Sequence, residues 1–494
     1  MEKYLYGAAV QGIQQFIFQT NELKHIVGAS ELVAQICTTA FDEFGKNGES
    51  IVRAAGNIKY IFDNETDCIK AVREFPKKVM NMAPGITISQ AVVPLSSNFD
   101  KDIDSIEAKL KTQRNKPSRS VTTGLIGIKR ANNSGLPIVD LKIESYMDKE
   151  RKVIYLDEST LKKERKQRLI ELCKKSFGFP DIDPDCLAYD ISDITDKNDW
   201  IAIIHADGNG LGKVLQAVGK KKDVLKEFSQ KLDIATKEAA NFAYKKIEDK
   251  FHNKFVIPIR PVVLSGDDMT VIIRGDLALD YAKVFIDAFK TKTKQYLSHI
   301  LRENNVFAGG EDYLTACAGI AFIKSSYPFY YGYQLAEELC GHAKKDTKAI
   351  HGADSNHLPP SCLLFHKVQD SFIYDYKEII KRELTAVDGL SFMAGPYYNE
   401  PQAGKFTVGQ LQDFAKLLFS DEGDGIKSGV RNWISLRIKS KSIADQRKGR
   451  MLQVFTKTKD VEDLTREDNN RCIAYDVLSY DTIMNQQTNE TTEV

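Results

Sequence analysis

Apolar and polar positions along the chain follow two rhythms, one of period two and one of period about 3.6. KYLYGAAV (3–10) reads as a strand, and the stretch from Phe16 to Phe44 carries helical periodicity with a break expected near Gly28. SIVRAAGNIKYIF (50–62) sets two apolar runs around Ala55-Gly56-Asn57, a turn sequence, and so predicts a hairpin. CIKAVREFPKKVM (68–80) is amphipathic, and GITISQAVVPL (85–95) returns as a strand. The same order comes back after residue 198. WIAIIHAD (200–207) is a strand, 223–251 a long amphipathic helix, PIRPVVLSGDDMTVIIRG (258–275) a hairpin, 277–304 a second helix, LTACAGIAFIK (314–324) a strand and 331–350 a third helix.

Two passes through strand–helix–hairpin–helix–strand imply an internal duplication. The expected fold class is α+β, with two ferredoxin-like domains (βαββαβ) at 1–100 and 199–370. The intervening 101–198 differs in texture. It holds a basic, Pro- and Ser-containing run (109–120), turn chemistry (124–139) and what reads as one charged helix (151–177), so it is expected to be a small inserted middle domain. Residues 371–485 form a helical C-terminal domain, with helices at 406–419 and 429–455, and the tail 486–494 has no apolar anchor and is expected to be disordered.

Composition narrows the class only slightly. The 494 residues include 69 basic and 68 acidic ones, for a formal net charge of +1, so any nucleic-acid surface must be a local patch rather than a global field. The start, MEKYLYGAAVQGIQQ, lacks the pattern of a signal peptide, and no apolar run approaches the roughly 20 residues of a membrane span. The eight cysteines are scattered with no Cys-x-x-Cys pair, which argues against a zinc ribbon and for free thiols in a reducing cytoplasm.

Against this background VVLSGDDMTVII (262–273) is anomalous, because two adjacent carboxylates interrupt buried sheet. A turn Ser265-Gly266-Asp267-Asp268 projects carboxylates from a rigid hairpin, and Gly266 can take a positive φ where a ligand approaches the backbone. Mg²⁺ takes one or two carboxylates together with phosphate oxygens, and a pair of such ions can activate an attacking hydroxyl and stabilise a leaving oxygen. A third carboxylate is then needed. Asp207 ends the apolar run IAIIHA and precedes GNGLGK (208–213), a Gly-rich turn whose N–H groups can meet phosphate oxygens at a helix start. The glycine spacing is not G-x-G-x-x-G, so a dinucleotide loop is disfavoured. Singly, Gly-Asp-Asp is a common turn. Jointly, strand–Asp207, helix, hairpin–Asp267–Asp268 is the order of palm-type polymerases and nucleotide cyclases. Lys344 and Lys345, late in the following helix, can reach a phosphate or merely cap the helix.

These stretches resemble the large, polymerase-like subunit of type III CRISPR effector complexes (Cmr/Csm-type), whose paired palm domains are related to the GGDEF-type nucleotide cyclases. SGDD (265–268) stands where that family has GGDD, and ADGNGLGK (206–213) is similar to its strand-ending Asp-Gly turn. CAGIAFIKSSYPFYYGYQLAEELCGHAKK (317–345), VQGIQQFIFQTNELKHIVGASELV (10–33) and FMAGPYY (392–398) are similar to its palm strand and Ala-Lys helix, its first-palm opening and the start of its helical C-terminal domain. The resemblance implies an ATP-dependent nucleotidyltransferase that makes a cyclic oligoadenylate when target RNA is bound. The 3′-hydroxyl of one ATP would attack the α-phosphate of another and release pyrophosphate. Asp207, Asp267 and Asp268 would be catalytic and, with the Gly208 carbonyl, would hold two Mg²⁺ (or Mn²⁺) ions. Gly208, Asn209, Gly210, Ser265, Gly266 and Lys344 would contact nucleotide. The first palm, with Ala-Gly-Asn in place of the carboxylates, would bind the other ATP without metal through Ser30 and Asn57. Implied partners are other effector subunits with guide and target RNA, and no membrane.

The chain departs from the family at Ser265, which replaces a glycine, and at Asn209, which replaces an acidic residue of some relatives. No His-Asp dipeptide occurs, so the HD nuclease of many relatives is not expected, and the zinc-binding cysteines of some relatives are missing. Competing readings are a catalytically silent RNA-binding scaffold using the basic stretches 109–119 and 437–450, a standalone cyclic dinucleotide synthase, and a templated polymerase. Intact Asp207, Asp267 and Asp268 favour the enzyme, since an inactive palm has no use for carboxylates that repel one another.

Overall fold

Strands β1 (Tyr4–Gln11), β2 (Gly48–Ala54), β3 (Asn57–Phe62) and β4 (Thr87–Pro94) form an antiparallel sheet in the order β2-β3-β1-β4. This is a computed structural model, and it describes residues 2–20, 22–54, 56–116, 127–131, 134–145, 151–165, 169–189, 191–195, 199–251, 256–350, 356–369, 375–418 and 423–484. The expected disordered tail lies outside the described residues. Helices Leu23–Cys37 and Glu65–Met82 cover one face of the sheet, burying Ile26, Leu32, Phe75 and Val79 against Tyr6, Ile58 and Tyr60. Asn64 starts the second of these by accepting from the Asp67 N–H, a regular N-cap.

The helical run is split before Gly28: one helix is Ile13–Ile17, and Gly28 lies inside the next, Leu23–Cys37. A Cβ there would come 1.9 Å from the Lys163 carbonyl oxygen, so the glycine serves close approach of another segment instead of ending the helix. That segment belongs to the middle region. Strands β5 (Ile138–Ser145) and β6 (Arg151–Asp157) form a two-stranded ribbon, followed by helices Glu158–Arg165 and Leu169–Phe177. The expectation of one charged helix over 151–177 is therefore corrected, because the β-branched and aromatic run Val153-Ile154-Tyr155 favours a strand.

The middle region does not stand apart. Helix Phe99–Arg114 covers the free face of the first sheet, setting Ile103 and Ile106 on Leu5 and Val93. Lys163 is buried against the first unit, its Nζ donating to the Phe16 carbonyl at 2.7 Å and to Gln19 Oε1 at 3.2 Å, and burial pushes its pKa down to about 8.

The second sheet runs β12-β11-β10-β7-β9-β8, formed by β7 (Trp200–Asn209), β8 (Ile259–Ser265), β9 (Asp268–Arg274), β10 (Thr315–Lys324), β11 (Cys362–Lys367) and β12 (Tyr397–Tyr398). Its first four strands by sequence, β7 to β10, repeat the order of the first sheet, as the duplicated pattern implies. The parallel strand β11 and the short β12 extend it and are not apparent in the periodicity. Helices Lys222–Ile247 and Gly275–Glu303 cover one face, and helix Phe329–Ala349 covers the other. On that second face Ile203, Ala321 and Leu339 share one apolar cluster with Ile26 and Leu32 of the first unit, so the two sheets are joined through a common core.

Beyond β12 the chain is helical: Val408–Leu417, Gly423–Lys439, Lys441–Val454, Thr458–Leu464 and Ala474–Met484. The helix expected over 429–455 is two helices parted at Ser440, which is extended (φ −158°, ψ 123°). Arg437, counted above in a basic stretch, is buried and holds Asp388 and Glu467 by paired hydrogen bonds of 2.6–3.1 Å, so it fastens this region instead of facing RNA. Among the described residues no helix is long and apolar enough to cross a membrane.

Candidate active site

Strand β7 is buried along almost its whole length, and Asp207 is the position where a carboxylate emerges from it. Ala206 pairs with Met269 on β9, which sets Asp207 one step further on, beside Asp268. On its other side Asp207 faces Cys317 of β10. Strand β7 runs on to Asn209, two residues beyond the expected end. The Ser265–Asp268 pair closes a two-residue turn, in which Gly266 takes φ +66°. Thr236, from helix Lys222–Ile247, donates its hydroxyl to the Gly266 carbonyl at 2.6 Å and so fixes the tip. Gly208 allows the tip to close onto β7, since a Cβ there would lie 3.0 Å from Asp267 Cβ and Oδ2.

Three carboxylates converge as a result. Asp207, Asp267 and Asp268 each offer an oxygen within 4.8 Å of the others. Burial first, then the neighbouring Asp268 and Asp207 charges, raise Asp267 well above the usual carboxylate range. Burial and the Asp207 charge push Asp268 up to about 7, against the opposing pull of Lys344. Lys344 forms an ion pair with Asp207 and donates to the Gly208 carbonyl at 2.8 Å. Burial works against its charge, but Asp207 outweighs that and holds its pKa above the ordinary value.

Hard oxygen donors this close, short of positive charge, are what a divalent cation such as Mg²⁺ needs. The residues present therefore fit such an ion: Asp207, Asp267 and Asp268 supply carboxylate oxygens and Gly208 a carbonyl. Lys344 neutralises part of the same cluster.

Two cavities border Asp268. One, of about 400 Å³, opens between the two palm-like units and is lined by Ser30, Arg53 and Gly56 on one side and by Lys226, Lys237 and Ser265 on the other. The second, of about 440 Å³, is lined by Gln11, Gly12, Gln14, His205 and Tyr333. His205 there is buried, hydrogen-bonded to Thr270 at 3.1 Å and edge-on to Tyr333, and burial lowers its pKa to about 4.

The structure thus brings together Asp207, Gly208, Ser265, Gly266, Asp267, Asp268, Lys344 and, across the first cavity, Ser30. Gly210 sits at the start of helix Leu211–Val218 with φ +85°. Asn209 is placed differently from the expectation. Its amide is buried in the sheet, donating to Thr315 Oγ1 at 3.1 Å and Cys317 Sγ at 3.3 Å. Asn57 is exposed at the start of β3, and the described lining of the cavity includes Gly56 but not Asn57. The sequence reading missed Glu337, whose charge reaches Asp268 and whose carboxylate accepts from Gln14 of the first unit at 3.0 Å. Its spacing of seven residues from Lys344 on one helix face was the available signal. Lys226, Lys237 and Thr236 had none, because nothing local says which face of their helix meets the hairpin.

Fold and site together define an α+β protein with two sheets of like strand order, in which one hairpin carries an acidic cluster and its counterpart carries Gly56 and Asn57 at the equivalent turn. Residues 200–350 match the family described as Cas10/Cmr2, second palm domain, and over that segment the chain is similar to Cas10. Its fold over nearly the whole length is that of the Csm1–Csm4 cassette structures. The cassette in complex with AMPPNP aligns with a TM-score of 0.52 at 13% identity, over 97% of this chain and 70% of that one. The cassette in complex with pppApA aligns with a TM-score of 0.53 at 13% identity, over 98% and 69%. The apo cassette gives 0.51 at 13%, over 98% and 69%. No curated protein matches the chain.

Proposed function

We propose that this chain is a nucleotidyltransferase that joins ATP molecules into a cyclic oligoadenylate, working within a multi-subunit type III CRISPR effector assembly and activated there by target RNA. The observation that carries the reading is the convergence of Asp207, Asp267 and Asp268, with Asp268 bordering two nucleotide-sized cavities. The likeness to structures in complex with AMPPNP, pppApA and cA3 supports ATP as the substrate.

The three carboxylates, with the Gly208 carbonyl, would hold divalent ions. When bound, these would offset phosphate charge and acidify the attacking hydroxyl. The chain's own residues do the rest. The cavity between the units seats one ATP, with Ser30 and Gly56 on its first-palm wall and Lys226 and Lys237 near enough to meet phosphates. Lys344 exchanges Asp207 for a phosphate oxygen as the nucleotide enters. Thr236 keeps the Gly266 turn still, so that the two reacting nucleotides meet in one geometry, and in phosphoryl transfer such positioning is most of the catalysis. Asp267 and Asp268, protonated more readily than ordinary carboxylates, release protons as cations bind.

The test is incubation of the chain with labelled ATP and Mg²⁺ or Mn²⁺, first alone and then in its native assembly with target RNA, resolved by chromatography and mass spectrometry. Oligoadenylate and pyrophosphate that vanish in the Asp267→Asn/Asp268→Asn variant are expected. No product in either setting overturns the enzymatic reading in favour of a silent scaffold. Product from the isolated chain would mark a standalone synthase.

A further inference from the structure

Among the described residues the first sheet is open at one edge. Its order puts β4 outermost, and β4 pairs with β1 residue for residue from Tyr4–Pro94 to Gln11–Thr87 without a bulge. The other two long edges are interrupted: β2 carries an irregularity between Ser50 and Val52, and β8 one between Pro261 and Val263. Bulges and prolines are how sheets blunt edges against pairing, and β4 has neither until Pro94.

Backbone direction tells which groups are on offer. Leu95 donates its N–H to Lys3, towards β1, so the alternate residues Val92, Gln90 and Ile88 turn theirs outward. Consistent with this, the Val92 carbonyl accepts from Lys109 Nζ at 2.9 Å.

A groove of about 880 Å³ runs along this edge between helices lying on opposite faces of the sheet. Val72 and Pro76 of helix Glu65–Met82 form one wall, and Lys109, Gln113, Arg114 and Lys116 form the other. The walls differ in chemistry, one apolar and one basic. A strand added to β4 would point alternate side chains at each wall.

We propose that the β4 edge is a docking site for an extended segment of a partner protein, which adds as an extra strand and alternates apolar residues toward Val72 and Pro76 with acidic residues toward Lys109, Arg114 and Lys116. Main-chain hydrogen bonds to Ile88, Gln90 and Val92 supply affinity, and the two walls supply register. Apart from Gln11, which also borders the second cavity, the site lies outside the residues placed around Asp268, so it is tested separately from them.

The test uses the full chain carrying benzoylphenylalanine in place of Gln113, expressed in its own cells and photo-crosslinked in the native assembly. Amide exchange of β4 is compared between the isolated chain and the assembly. Crosslinks to one polypeptide segment with the alternating pattern are expected, with slowed exchange at Ile88, Gln90 and Val92. The Lys109→Glu/Arg114→Glu variant should lose the partner by about tenfold or more while retaining ATP joining. Crosslinks to RNA, or β4 amides that exchange equally fast in both states, would overturn the proposal. Loss of ATP joining in the Asp267→Asn/Asp268→Asn variant reports on the catalytic reading alone.

Discussion

Asp268→Asn should make the metal-free protein more stable at neutral pH while abolishing its chemistry. In the fold Asp268 holds its proton up to about 7, whereas an unperturbed aspartate releases it near 3.8. Between those values the folded state binds the extra proton, so wild-type stability falls as pH rises through that window. The interval amounts to about 4 kcal/mol for a closed site. Asp268 is only partly buried and solvent screens it, so we take about half, about 2 kcal/mol. Asparagine keeps the shape and removes the charge. The variant should therefore unfold at a temperature higher by about 2 °C above pH 7. The gap should close to near zero below pH 3.8, where both proteins are neutral at this position. Thermal unfolding in chelator across that pH range measures it. A variant no more stable than wild type at pH 8, or a gap that ignores pH, would refute the burial and carboxylate repulsion inferred at Asp268.

Three further outcomes follow from the same contacts. Lys344→Gln should raise KM for ATP about tenfold with a smaller effect on kcat, because a phosphate contact made in ground and transition states alike is lost, and steady-state pyrophosphate release reads it. Thr236→Val removes the hydroxyl that holds the Gly266 carbonyl, and should lower kcat/KM about tenfold while costing about 1 kcal/mol of stability by urea titration. Gly28→Ala would drive a Cβ into the Lys163 carbonyl and should cost about 3 kcal/mol or more, measured by the same titration, with Ser30 and the cavity wall displaced.

The acidic site was legible because its parts are local. IAIIHA before Asp207 and Ser-Gly-Asp-Asp between apolar runs are strand-end and turn signals that need no tertiary knowledge, and the repeated element order foretold that β7 would lie beside β9. What the site gains from elsewhere was not legible. Thr236, Lys237 and Glu337 sit on long amphipathic helices whose polar faces look alike until packing selects one. Asn209 misled for a related reason. Two residues past Asp207 it looked like a ligand, but β7 continues and its amide is used against Thr315 and Cys317. Gly28 looked like a helix break because glycine is permissive, while in the fold its value is the missing Cβ beneath Lys163. Arg437 looked like part of a basic surface, and only the fold supplies Asp388 and Glu467 as its partners.

The most direct test of the site is Mn²⁺ binding in the presence of a non-hydrolysable ATP analogue, followed by electron paramagnetic resonance on wild type and on Asp207→Asn. Two ions per chain with magnetic coupling between them, at least one lost in the variant, is the expected result. Wild-type protein that binds no Mn²⁺ with the analogue, or binds it equally well without Asp207, would contradict a metal–nucleotide site at Asp207, Asp267 and Asp268.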